Sequence, residues 1–182
     1  LGRIRVVEVC APKTPELSTL WNDLIGAHHY LGYVPAVGRQ KRYLVESERY
    51  GPVAAAAFSA AAWRCAPREQ WIGWSDGARR AHLQEVVCNS RFLILPWIEV
   101  KNLASHALAR LAARVVDDWR ETYGYAPLLL ETYVLGERFK GISYNAAGWL
   151  HVGQTAGYSR DESSGHAGVE VKEVYLHPLR SD

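Results

Sequence analysis

Cysteine is scarce in this chain and odd in number: Cys10, Cys65 and Cys88 lie far apart and no C-x-x-C spacing joins them. Neither a disulfide framework nor a zinc site is suggested, and the thiols are expected to be reduced. Net charge is also small. A formal +2 is too little to imply a nucleic-acid partner by itself, although local basic patches remain open. No apolar run approaches the roughly 20 residues of a membrane span, and the first residues lack the charged-then-apolar pattern of a signal peptide. A cytoplasmic location without membrane contact is therefore expected. P-loop, G-x-S-x-G and H-E-x-x-H motifs are missing too, so nucleotide hydrolysis, serine hydrolysis and zinc proteolysis are unsupported and no metal is expected.

The 182 residues are 48% hydrophobic, enough for one full core, and a single domain over residues 1–182 is expected. Seven Trp and ten Tyr bury large areas but carry polar atoms that need partners, which suits a deep, partly polar cleft as well as a core.

The organising stretch runs from Arg91 to Trp149. Residues 91–100 form a near-continuous apolar run, read as a strand buried on both faces. Leu103, Ala107, Leu108, Leu111, Val115 and Trp119 then recur at helical spacing, with Arg110, Arg114, Asp117 and Asp118 on the other side. Gly124 stops that helix, Pro127 follows, and residues 128–134 read as the next buried strand. Such a strand–helix–strand unit places its two strands parallel.

Upstream, residues 3–9 read as a first strand, and Thr14-Pro15-Glu16 caps a helix to about His29. Two hairpin strands follow over 40–45 and 53–63, then irregular backbone over 67–74, then a helix from Ser75 or Asp76 to about Val87. Downstream come a short helix over 141–148, a strand over 150–155, a Gly/Ser-rich loop over 156–168 and a last strand over 169–176. The fold class is therefore α/β of the α+β kind: a mixed, mostly antiparallel sheet with one parallel pair and flanking helices. Pro96 falls inside the run 91–100, where it removes a ladder hydrogen bond and is expected to splay the parallel pair.

The element order, with Tyr144-Asn145-Ala146-Ala147-Gly148-Trp149 and then Val152-Gly153, resembles the Y-x-x-x-G-F…V-G signature of the GNAT N-acetyltransferases. More closely, His29-Tyr30-Leu31-Gly32, Ile72-Gly73-Trp74, residues 89–96, Asn102-Leu103-Ala104-Ser105, Leu130-Glu131-Thr132 and Gly153-Gln154-Thr155 resemble the Druantia anti-phage DruA-like family. That family is a domain of unknown function, also found fused to transposases. The first resemblance implies a V-shaped cleft between two splayed strands that admits an acyl donor, and an amine acceptor beside it.

One departure matters. Acetyl-CoA users carry a Q/R-x-x-G-x-G/A loop whose amides cradle the pyrophosphate, whereas the run here is Val100-Lys101-Asn102-Leu103-Ala104-Ser105. Both glycines are gone, so side chains stand where close approach is needed, and acetyl-CoA is doubtful as cofactor while another acyl donor is left open. Asn102 is expected as helix N-cap, and Asn102 and Ser105 as anion-holding residues or as plain caps.

The resemblance implies that Tyr144 protonates a leaving thiolate. Glu131 sits in an apolar strand, so it either faces the cleft as a base or meets a cation such as Arg91 or Lys140. His29, with His28 at the cleft mouth, is a second candidate base. Arg42, Arg91, Trp74 and Thr132 complete the donor- and substrate-binding candidates. Three classes stay open: group transfer to an amine, a DNA-linked or protein-binding module of a defence system or transposon without turnover, and a small-molecule sensor.

Overall fold

The computed structural model describes residues 2–156 and 170–179. Among the described residues seven strands form one sheet: β1 (Ile4–Val9), β2 (Gln40–Ser47), β3 (Gly51–Ala60), β4 (Val86–Ile94), β5 (Leu129–Leu135), β6 (Leu150–Gln154) and β7 (Lys172–Pro178). Their spatial order is β1-β2-β3-β4-β5-β7-β6, antiparallel throughout except for β4 beside β5. The helices are α1 (Pro15–His28), α2 (Ala66–Ile72), α3 (Asp76–His82), α4 (Leu103–Tyr123) and α5 (Ile142–Ala146). No helix among the described residues is long and apolar enough to cross a membrane.

β3 explains how both faces are covered. Its alanines alternate: Ala54 and Ala56 lie under α4, whereas Ala55 and Ala57 lie under α1 with Trp21, Leu24 and Ile25. Side chains this short let helices approach both faces closely, which is why a helix-favouring run is held as a central strand. α4 buries the stripe Leu103, Ala107, Leu108, Leu111, Val115 and Trp119. Gly124 closes it in the left-handed region, at φ 81°. α2 covers the far half of the other face, where Cys65, Val86, Leu129, Val174 and Leu176 meet.

Four expectations shift. The strand read from residue 91 begins at Val86, and the helix expected to reach Val87 ends at His82, followed by a 3-10 turn over Leu83–Glu85. Residues 67–74, expected to be irregular, contain most of α2, started by Pro67 in its first turn. Thr14 precedes α1 without capping it through its side chain, because its Oγ1 is engaged with the Cys10 backbone.

The parallel pair opens as expected, but for another reason. Pairing runs only through Val86–Leu129, Val87–Leu130 and Cys88–Glu131. Pro96 lies beyond the end of β4, in an exposed turn, and so does not part the strands. The break coincides with a bulge: Ala57 faces Arg91 and Phe58 faces Asn89 across β3, leaving Ser90 as the extra residue. A bulge bends and twists its strand, which carries β4 away from β5 from Asn89 onward.

Candidate active site

Asn89 stands at the point where the strands part, and it is buried. Its Nδ2 donates to the carbonyls of Ala57 and Arg91, at 3.0 Å each. With both amide hydrogens used, Oδ1 is left as acceptor and takes the Tyr144 hydroxyl at 2.7 Å. Thr132 Oγ1 donates to the Asn89 carbonyl at 3.0 Å and lies 3.4 Å from the same hydroxyl. Asn89, Thr132 and Tyr144 thus tie β4, β5 and α5 together at the floor of the V. The Tyr144 ring is fixed by Trp149 in a T-shaped contact at 5.1 Å and by Tyr175 stacked at 5.9 Å. Burial raises the Tyr144 pKa above that of an ordinary phenol, so the group keeps its proton at neutral pH.

Above this floor opens a cleft of about 1340 Å³. Phe92, Ile94 and Pro96 line one wall, Val134 and Ile142 the other, and the end of α1 with His28, His29 and Tyr30 forms the rim. His29 Nδ1 accepts the Leu31 N–H at 3.2 Å, which leaves the ring proton of the neutral imidazole on Nε2. Its pKa is lowered to about 4 by burial, then by Arg91 and Arg138.

A second cavity of about 390 Å³ lies at the N-terminus of α4, lined by Lys101, Asn102, Ser105, His106 and Ala147 among others. Asn102 sits there at φ 63°, in the left-handed region that glycine enters at least cost. Its side chain caps nothing, and the Ser105 hydroxyl donates to the Asn102 carbonyl at 3.1 Å. The turn therefore takes a glycine-type conformation without a glycine, with side chains beside it.

A family model described as Druantia protein DruA matches residues 2–166. The chain belongs to that family. No curated protein matches it by sequence. Among solved structures it is similar to spermidine N-acetyltransferase from Vibrio cholerae in complex with CoA and spermine, at TM-score 0.58 and 10% identity, covering 97% of this chain and 95% of that one. A chimera of the Vibrio cholerae enzyme and hSSAT gives TM-score 0.61 at 9% identity, over 98% and 96% of the two chains. The Vibrio cholerae spermidine/spermine N-acetyltransferase in complex with manganese ions gives 0.56 at 9%, over 97% and 93%. This DruA-family chain therefore has the GNAT acetyltransferase fold.

Within that fold the candidate residues divide. Tyr144, Thr132, Arg91 and His29 all line the large cleft. Glu131 does not, because alternation along β5 turns it to the opposite face from Thr132. It is fully buried and paired with Arg68, Nη1 to Oε2 at 2.7 Å, and its other oxygen accepts from the Tyr133 hydroxyl and the Ala62 N–H. The partner is thus neither Arg91 nor Lys140. Arg42 is spent on α1, donating to Asn22 and Ser18 at 2.9 Å each over the Trp21 ring. Trp74 packs under the Arg68 guanidinium and lies outside the cleft. Asn102 and Ser105 line only the smaller cavity.

Sequence reading missed Asn89 and Arg138 as members of the site, and Arg68 as the partner of Glu131. The signal for Asn89 was present, a polar residue followed by Ser and Arg inside a strand of otherwise apolar residues, which marks a bulge. Arg68 was hidden by the irregular backbone expected around it.

Proposed function

We propose that this domain is a GNAT-like group-transfer enzyme of the acyltransferase type, acting on an amine acceptor with a donor other than ordinary acetyl-CoA. The observation that carries this reading is the Tyr144 hydroxyl, held at the floor of the splayed strands by Asn89 and Thr132.

Beyond Cys88, the β4 edge has lost its β5 partner, so its backbone polar groups are available to an extended donor lying in the V. A thioester seated beside Tyr144 takes over the hydrogen bond now given to Asn89 Oδ1. As the thiolate departs, the phenol stabilises it by donation. Complete proton transfer to the thiolate, whose conjugate thiol has an ordinary pKa of about 8.5, is uphill from a phenol raised above 10. Tyr144 therefore acts chiefly as a hydrogen-bond donor to the developing charge. His29 supplies an Nε2–H at the acceptor side. Glu131 is locked by Arg68 and takes no part in proton transfer, so the amine enters neutral or gives its proton to water.

An amine acceptor is supported by the similar solved structures, which are spermidine N-acetyltransferases. The missing glycines at α4 support a different donor: side chains of Lys101, Asn102 and Ser105 line the cavity there, where a diphosphate needs bare backbone.

A second reading is a DNA-linked or protein-binding module of an anti-phage defence or transposon system without turnover. It is favoured by the engagement of both candidate bases, Glu131 with Arg68 and His29 Nδ1 with Leu31. Incubation of the protein with a panel of acyl thioesters and amines, read by mass spectrometry, separates the two. The first reading expects an acylated amine and free thiol from at least one pair. Failure of every pair hands the cleft to the second.

A further inference from the structure

The spermidine acetyltransferases bind a polycation, and the cleft here is built for the opposite charge. Arg64, Arg91, Arg138, Lys140 and Lys172 line it, against the carboxylate of Glu170. Among the described residues, Arg91, Arg138, Lys140 and Lys172 have no carboxylate partner, and the Glu131 charge is cancelled out of sight by Arg68. Several uncompensated cations around one cavity repel a polyamine and attract anions.

The same rim is aromatic. Tyr30 and Phe139 pack with their rings tilted by 52° and centroids 5.5 Å apart, and the Arg138 guanidinium lies over both, at 5.5 and 5.7 Å. His29 stacks on Tyr30 at 4.9 Å. A guanidinium spread over aromatic rings keeps its in-plane N–H donors free for a phosphate, and the ring faces beside it suit a planar base. Arg91 uses Nη1 on the Ser90 carbonyl at 2.7 Å and has further donors to offer from the opposite wall. The field is felt inside the cleft, where Arg91 and Arg138 add to burial in keeping His29 neutral.

We infer that the acceptor side of the cleft takes a nucleotide-type ligand, its phosphate held by Arg91, Arg138 and Lys140 and its base laid against Tyr30 and Phe139. This deepens the proposed function by naming what enters the same cleft, and it rests on the cleft rather than on turnover. A free nucleotide and a single strand of nucleic acid share this chemistry.

The test is fluorescence anisotropy of the full chain with a labelled single-stranded oligodeoxyadenylate of about 12 nucleotides, with deoxyadenosine monophosphate as competitor, at low and moderate salt. Calorimetry with spermidine alone is run beside it. Expected are oligonucleotide binding weakened by salt, and about tenfold weaker binding for Arg138→Glu and for Phe139→Ala, with the salt slope of Arg138→Gln reduced by about 1. Competition by the mononucleotide near the oligonucleotide's own concentration range assigns the site to a free nucleotide, and weak competition to a strand. Both side chains are exposed, so these variants keep the fold. No binding of either probe, binding indifferent to both substitutions, or tight binding of spermidine overturns the inference. Lack of acyl transfer in the thioester screen leaves this result standing, and absence of binding leaves a positive screen standing, so the two readings fail separately.

Discussion

Protonating His29 means putting a charge into a half-buried site that already faces Arg91 and Arg138, and its pKa falls from 6.5 to about 4 for that reason. In the unfolded chain the imidazole binds its proton near pH 6.5, so between that pH and about 4 the unfolded state holds more protons than the folded one. Folding stability from this residue is intact above pH 6.5 and is lost as pH falls toward 4. Thermal melts across that window are expected to drop less steeply for His29→Gln than for the wild type, and identical slopes would show that the site does not resist protonation. Glu131 offers a contrast. Removing it leaves the Arg68 guanidinium fully buried and unpaired, so Glu131→Ala should cost about 3–5 kcal/mol in denaturant unfolding. A stable Glu131→Ala protein that had lost only activity would restore the carboxylate to the candidate bases.

At the scale of elements, two turns set the site. Asn102 holds a left-handed φ of 63° at the start of α4, which costs an alanine about 1–2 kcal/mol more than it costs glycine. Asn102→Ala should therefore destabilise by that amount while Asn102→Gly does not, as read by urea unfolding. If the crowding of this turn is what excludes a diphosphate, calorimetry of the wild type with acetyl-CoA should give no dissociation constant as tight as about 1 μM. Gly141 opens α5 at φ 64°, and a Cβ there would lie 2.1 Å from the Tyr175 hydroxyl oxygen. Gly141→Ala must move α5 or the Tyr175 ring on which Tyr144 stacks, so it should disturb the Tyr144–Asn89 hydrogen bond even though it touches neither residue.

Across the whole molecule, what was legible in the sequence follows from periodicity. The α4 stripe, its Gly124 stop and the parallel strands either side of it were readable because burial on one face repeats every turn. The splay was expected but its cause was not: Pro96 is visible in any sequence, whereas the Ser90 bulge is a two-against-one pairing defined only by the partner strand. Strand β4 was set too late because Val86 to Ser90 carries three polar or thiol side chains and reads like the tail of α3. Tyr144 and Thr132 could be named from a motif, but Arg68 with Glu131 and Arg138 with Tyr30 are long-range pairs that no local spacing announces. Residues 156–168, expected as a loop, fall outside the described residues apart from Ala156.

Group transfer in this cleft depends most directly on one hydroxyl, that of Tyr144. Tyr144→Phe deletes the donor to Asn89 Oδ1 while keeping the ring contacts with Trp149 and Tyr175, so the ring still packs in place and one buried acceptor loses its partner. The measurement is the rate of thiol release, wild type against Tyr144→Phe, with whichever acyl thioester and amine the screen identifies and with melting temperature as the control. The expected result is a kcat lower by about 10²-fold or more, with a melting temperature lowered only by the cost of one unsatisfied buried acceptor, about 1–3 kcal/mol, and still above the assay temperature. Equal kcat values for the two proteins would contradict it.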